Sequence, residues 1–566
     1  MRLEKLIAVA RGEAQADLLL TNARIINTFT AEIEKGNIAI SQGRIAGIGD
    51  YSQAKQKIDL KGKYLAPGLI NGHIHIESSM LHISEYARAV VPRGTSAIVT
   101  DLHEIANVAG LKGVRYLMDC ARTLPMDCYF MAPSCVPATH LETSGAELGA
   151  KELKIAFRWK NVIGLGELMN FPGVLMRDKE VLKKVRLARG RVIDGHAPRV
   201  SGKDLNAYLT AGASSDHEST TLEEGREKLR RGMYLMIREG SSEKNLDDLL
   251  PLVTDKTYRR CLFVTDDRTC ADLLREGDID AVVRKAISRG LDPIRAIQMA
   301  TINTAEHFRL RQVGAIAPGY AANLIAIDDL SKLSVDMVFH KGKLVAQNGK
   351  PLFSSSWRSD PEISHSVNIK PFNIEALKIP ASRKNLPIIE IVPGQVTTKG
   401  IKLEPKVRDG FVVPDIERDI LKLVVVERHK ASGNIGLGLV KGFGLRKGAL
   451  GSSIAHDSHN IVVAGTDDHD IFAAVKEISR LQGGLVAAAG GKIKGSLALP
   501  IAGLLSEEPL ETVVSKLEEL QKIAAGLGCV LPSPFATLSF LALAVIPELR
   551  LTDKGLVDVV AFKLLS

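Results

Sequence analysis

The chain is short of cysteine, of long apolar runs and of clustered basic residues. Its 566 residues include six cysteines, Cys120, Cys128, Cys135, Cys261, Cys270 and Cys529. None belongs to a C-x-x-C pair, which argues against a thiolate zinc site or a thioredoxin-like motif and leaves reduced thiols in a cytoplasmic protein as the expectation. No uninterrupted apolar run can span a bilayer. The N-terminal MRLEKLIAVARGEAQADLLL has no long h-region before a small-residue cleavage site, so no membrane partner is expected. The 74 Lys and Arg against 65 Asp and Glu leave a net charge of +9, which is mild over this length. No Lys/Arg block is interleaved with aromatics, so no nucleic-acid partner is expected either.

What is present is an ordinary globular composition, 45% hydrophobic and 25% charged. The length exceeds what one core supports, so several domains are expected. Residues 1–66 read as short strands broken by Asn, Gly and Asp: ADLLLTNARIINTF, NIAISQGRIAGIG, KIDLKGKYLAPG. Residues 313–350 repeat that flavour, and the two segments are expected to form one composite β-sandwich beside the region between them. In that region, 67–312, apolar runs alternate with amphipathic stretches. Strands are expected near 69–75, 95–101, 127–133, 162–167, 191–196, 213–217, 233–237 and 261–266, with helical patterns such as ADLLREGDIDAVVRKAISRG between them. Eight strands alternating with helices fit a (β/α)8 TIM-like barrel, whose usual length is about 250 residues. Residues 351–399 read as a connector. Residues 400–566 read as a further α+β domain, with strands such as LKLVVVERH and NIVVAG. The glycines of Gly442–Gly448 match no phosphate-loop spacing and read as a turn.

The chemistry starts at PGLINGHIHIESS, residues 67–79. His73 and His75 are spaced i, i+2, which on a strand puts both imidazoles on one face. Barrel sites lie at the C-terminal strand ends. Those ends carry Glu167 after the fourth strand, His196 after the fifth, His217 after the sixth and Asp266 after the eighth. The metal set is therefore His73, His75, Glu167, His196, His217 and Asp266. Imidazole and carboxylate donors suit Zn, Mn or Fe(II). Six donors exceed one tetrahedral ion, and Glu167 could bridge two metals. Asp266 could take the proton of a metal-activated water. Asp267 would face the other way if the strand stays regular.

These motifs resemble the amidohydrolase superfamily and, within it, the adenine deaminases. PGLINGHIHIESSM, TDLHEIANVAG, GLGELMNFPGV, IDGHAP, SSDHES and FVTDD are similar to that family's strand ends. GSSIAHDSHNIVVAGTDD is similar to its C-terminal domain. The resemblance implies hydrolysis of adenine to hypoxanthine and ammonia, in purine salvage or catabolism, on a binuclear Mn(II) or Fe(II) site, with Zn(II) an alternative. It also implies a small-molecule substrate, adenine, and a homo-oligomer, dimer or higher. Glu167 stands where many relatives carry a carbamylated lysine; Lys160 lies before the strand. Asn323 replaces an Asp common in G-x-x-A-D.

Under this reading the catalytic groups are Asp266, Glu167, Glu77 and His103. Ser78, Ser79, Glu104, Asn170 and Glu218 are candidate substrate contacts. Glu77 and Glu104 have a second role open to them, orienting the ligand histidines. His456, Asp457 and His459 are read as a hydrogen-bonded turn, with a metal site or an active-site cap as the sharper alternative.

Overall fold

A computed structural model describes every residue except 1, 355–356, 358–359, 382–383 and 566. The connector expected over 351–399 includes six of these, which lie outside the described residues.

After the helix Leu3–Ala10, five strands between Ala16 and Pro67 join four between Leu324 and Pro351 in one nine-stranded sheet. The junction is antiparallel, with Leu324 opposite Pro67. Where a sandwich is expected, the hydrogen bonding runs through this single sheet. The reason lies in Ala16–Asn27, which a bulge between Leu20 and Ala23 bends. Its first half pairs with Ala54–Asp59 and its second with Tyr64–Pro67. Asn323 sits at the seam: its amide donates to Asp127 at 2.8 Å and its carbonyl accepts from Lys341 N at 2.9 Å. That seam meets the start of a central strand, at the end away from the histidines.

The central strands are β1 (Leu69–His75), β2 (Thr95–Asp101), β3 (Asp127–Ala132), β4 (Val162–Leu165), β5 (Val192–Ile193), β6 (Ser215–Asp216), β7 (Tyr234–Arg238) and β8 (Cys261–Val264). β1 to β5 pair in chain order, all parallel. A single bridge joins Ile193 to Ala213, and β6 to β8 pair in parallel again. Asp266 and Asp267, just past β8, pair back onto Ile74 and His75 of β1. β1 and β2 are buried along their whole length. That follows from apolar runs covered on both faces, as in parallel sheets. β5 and β6 are shorter than the pattern suggests, because the chain leaves the ladder to present polar groups. The helical pattern over 271–290 splits into Cys270–Arg275 and Ile279–Ser288. The break is Gly277, at φ +111°. It lets Asp278 turn inward under β1, where it accepts from Asn71 at 2.9 Å and Thr95 at 3.1 Å.

The last region is built on an eight-stranded sheet that includes Ile420–Val426 and Ile461–Gly465. The helix Asp468–Arg480 lays Ile471, Val475 and Ile478 on it. Each such side chain contributes about 1.5–3 kcal/mol on burial. The amides of Gly442 and Gly444 are taken by the Asp419 carboxylate, at 3.1 and 2.7 Å, so that glycine-rich loop is a closed turn. One apolar core runs from the central strands into this sheet. Ser506 N donates to Met80 O at 2.8 Å, and Thr143 N to Asp553 at 2.8 Å, across the same boundary.

Candidate metal centre and active site

His73 and His75 leave β1 on one face, as period-2 geometry requires. His73 Nδ1 lies 2.8 Å from Asp194 Oδ2, and His75 Nδ1 donates to Asp101 O at 2.9 Å. Each Nδ1 is occupied, so each Nε2 carries the free lone pair, and the two Nε2 atoms stand 3.1 Å apart. Facing lone pairs repel unless a cation or a proton lies between them.

Glu167 divides its oxygens between two imidazole pairs. Oε1 is 2.8 Å from His75 Nε2 and 3.6 Å from His73 Nε2. Oε2 is 2.8 Å from His196 Nδ1 and 3.5 Å from His217 Nε2. The Glu167 backbone is fixed by its N–H donating to Asp101 Oδ2 at 2.9 Å. That approach needs Gly166, where a Cβ would stand 1.9 Å from Asp101 Oδ2. Asp266 Oδ1 lies 3.2 Å from His75 Nε2 and 3.5 Å from His73 Nε2. Its φ is +57°, so the chain is irregular there. Asp267 nevertheless faces away and accepts from Ser78 Oγ.

The electrostatics show what this cluster favours. Burial disfavours a charged His73, yet Asp194, Asp266 and Glu167 outweigh it and raise its pKa well above the usual value. Burial likewise opposes ionisation of Glu167, but His75, His196 and His217 hold it well below the usual carboxylate range. Buried carboxylates on both sides of His73, with Glu167 and Asp266 together at its Nε2, therefore demand positive charge. Donor atoms of His73, His75 and Glu167 lie within 4.8 Å of one another, as do those of Glu167, His196 and His217, and of His73, His217 and Asp266. These sets fit divalent cations that accept nitrogen and oxygen ligands.

The remaining nominated residues divide. His103 stacks edge-on to His75 at 4.5 Å between centroids, with Nδ1 3.7 Å from Glu167 Oε1. Glu77 accepts from Ile105 N at 3.1 Å, its second oxygen is buried without a partner, and burial pushes its pKa up to about 7. Glu218 lies 3.4 Å from His217 Nε2 and pairs with Arg238. Ser79 is spent locally, donating to Ile76 O at 2.6 Å. Asn170 is exposed and caps the helix Phe171–Leu175 through Gly173 N at 2.9 Å. Glu104 is held by the last domain: its Oε1 lies 2.6 Å from His456 Nδ1, and its Oε2 is bonded to His459 Nε2. His456 and His459 thus reach across the fold and are no self-contained turn.

Sequence reading missed four groups that hold the site: Asp101, Asp194, Arg238 and Lys228. Arg238 donates to Asp266 Oδ2 at 2.7 Å and to Glu218. Lys228, fully buried, donates to Asp216 Oδ2 at 2.8 Å and Ala197 O at 2.7 Å. Asp216 Oδ1 in turn accepts from Ala197 N at 2.9 Å. Arg238 closes the apolar strand Tyr234–Arg238, and its partners Glu218 and Asp266 lie too far along the chain for the sequence to pair them with it.

Residues 64–345 match the model of the amidohydrolase family, and residues 395–563 match that of the adenine deaminase C-terminal domain. The chain is 61% identical to an adenine deaminase of Dehalococcoides mccartyi, over 100% of this chain and 99% of that protein. It is 51% identical to adenine deaminase 2 of Carboxydothermus hydrogenoformans, over 99% of this chain and 98% of that protein. Among solved structures it is similar to an enamidase, at 16% identity and a TM-score of 0.45, over 60% of this chain and 98% of that chain.

Proposed function

We infer that the chain, which belongs to the adenine deaminase family of amidohydrolases, hydrolyses adenine to hypoxanthine and ammonia. The observation that carries this is Glu167, set between two imidazole pairs in a chain similar to adenine deaminases over its whole length. The pairing of β8's extension onto β1 supports a closed (β/α)8 barrel whose strand ends carry the site.

Two divalent ions fit the donor set. His73, His75 and Asp266 would hold one, His196 and His217 the other, and Glu167 would span both. Mn(II) or Fe(II) suits these nitrogen and oxygen donors, with Zn(II) as the alternative. When bound, the metal pair would supply Lewis acidity that makes a water nucleophilic near neutral pH.

The residues of the chain do the rest. Asp266 is aimed by Arg238, so that Oδ1 faces the reaction centre and can take the water's proton. As the C6–O bond forms, N1 of the purine needs a proton. Glu77 is the proposed donor, since its buried second oxygen has no partner in the protein. His103 lines the approach between Glu167 and Glu104. Asp266 then passes its proton to the exocyclic amine, the C6–N bond breaks and ammonia leaves, while the O–H proton of the new C6 hydroxyl is lost and Glu77 takes a proton back, which leaves neutral hypoxanthine. No helix among the described residues is long and apolar enough to cross a membrane. Six unpaired cysteines support a cytoplasmic setting.

The test is ammonia release from adenine by the apo protein and by protein reloaded with Mn(II), Fe(II) or Zn(II), beside Glu167→Gln. Metal-dependent hypoxanthine formation, lost in the variant, is expected. Bound metal without adenine turnover under any loading would remove the substrate assignment and keep the metal centre.

A further inference from the structure

The last domain places one carboxylate where the purine reading leaves work undone. Asp457 is 3% exposed, and its Oδ2 is buried with no hydrogen-bond partner. A buried carboxylate oxygen left unpaired is costly, so such an atom marks where a ligand's donor belongs. The Asp457 carboxyl lies within electrostatic reach of Glu104, His103, His456 and Glu167. Its neighbour His456 meets Glu104 at 2.6 Å, Glu104 lies 3.6 Å from His103 Nε2, and His103 Nδ1 lies 3.7 Å from Glu167 Oε1, so this segment adjoins the metal centre. Glu142, whose Oε2 is likewise buried and unpartnered, is also within electrostatic reach of Asp457, and no hydrogen bond joins the two.

The segment carrying Asp457 is firmly seated. His456 and His459 clamp the two oxygens of Glu104. The His456 ring stacks on Phe540 at 4.8 Å. Ser458 O lies 2.6 Å from His429 Nε2, and Asn460 donates to Thr143 O at 2.9 Å. A carboxylate fixed in this way is preorganised to accept a hydrogen bond.

Adenine presents C6 and N1 to the metal centre. Its far end is the imidazole ring, which carries one N–H, on N9 or N7. A carboxylate is a strong acceptor for that donor. An N9-substituted purine has no such N–H to give. We propose that Asp457 accepts the imidazole-ring N–H of adenine and selects the free base over N9-substituted purines. This rests on the adenine reading above and gives the last domain a part in the site.

The experiment compares adenine with 9-methyladenine as substrates of the metal-loaded full chain, in wild type, Asp457→Asn and Asp457→Ala. A site built around a donor rejects an analogue lacking it strongly, so wild type is expected to prefer adenine by at least about 100-fold in kcat/KM. Asp457→Ala is expected to raise KM for adenine at least about tenfold, change kcat by less, and shrink the preference by at least about tenfold. Asp457→Asn, which keeps the volume and one acceptor, is expected to fall between. Unchanged KM and unchanged preference in Asp457→Ala would overturn the proposal. So would variants that lose metal or melt earlier while keeping the preference, since Asp457 would then be structural. A metal-loaded wild type that leaves adenine untouched would remove the adenine reading together with this one.

Discussion

The two halves of the metal centre are held by different means. His73 and His75 ride on a seven-residue strand buried throughout and paired on both sides. His196 and His217 follow strands of two residues each. A ladder spreads the restraint over many backbone bonds. The short-strand half depends instead on a few side chains: Lys228 ties Asp216 to Ala197. Gly195 makes this possible, since a Cβ there would meet Ser215 O at 2.0 Å. The lesson is that ligands of one centre can differ widely in how easily they are dislodged.

The largest break should come at Lys228. Lys228→Met leaves Asp216 as a buried, unpaired charge, and removing one partner of such a pair costs about 3–5 kcal/mol. Urea unfolding should show a loss of that order. Metal analysis should show weaker retention at the His196/His217 side, and an unchanged midpoint would break the comparison. Next in size is Arg238→Gln, which frees Asp266 Oδ2 and Glu218. Groups that orient ligands are worth about 10–100-fold in activity or metal affinity, so kcat/KM should fall in that range with the fold retained.

The strand half has its own weak point, and it is set by pH. Burial pushes Asp278, beneath β1, up to about 6. A raised carboxyl binds its proton more tightly when folded, so its cost appears as pH rises from the unfolded value, about 4, toward 6. Between those limits stability should fall with rising pH, by up to about 3 kcal/mol. Denaturant unfolding of wild type and Asp278→Asn at pH 4.5 and 7 measures this. The variant should lack that slope, and an equal slope in both would remove Asp278 as its source.

The same contrast explains what the sequence made legible. His73 and His75 could be read because period 2 is a local rule and both sit on one long strand. Glu167, His196, His217 and Asp266 could be read because each falls at the same end of an ordered strand series. Arg238 could not, because its role exists only where it meets Glu218 and Asp266, 20 and 28 positions away. Glu104 and His456 are 352 positions apart, a separation at which no spacing rule operates. Asp278 was hidden for another reason: the helical pattern ran straight through it, and only the positive φ at Gly277 reveals the turn. The single bent sheet was hidden too, because a bulge within Ala16–Asn27 leaves the strand's alternation almost intact.

The smallest effect is expected at Asn170, and it sharpens the contrast by showing where brittleness stops. Asn170 lies three residues past Glu167, after β4, and strand-end position alone nominates it to hold the base. Its side chain instead caps a five-residue helix, Phe171–Leu175. Losing such a cap typically costs about 1 kcal/mol. The helix is only five residues long and its first turn also holds Pro172, so the loss should stay local. Asn170→Ala should therefore lower the unfolding free energy by about that much and leave KM for adenine unchanged. Steady-state kinetics beside a urea melt decides it. A rise in KM without a stability change would return Asn170 to the substrate, and would mean that the loop after β4 closes over the base.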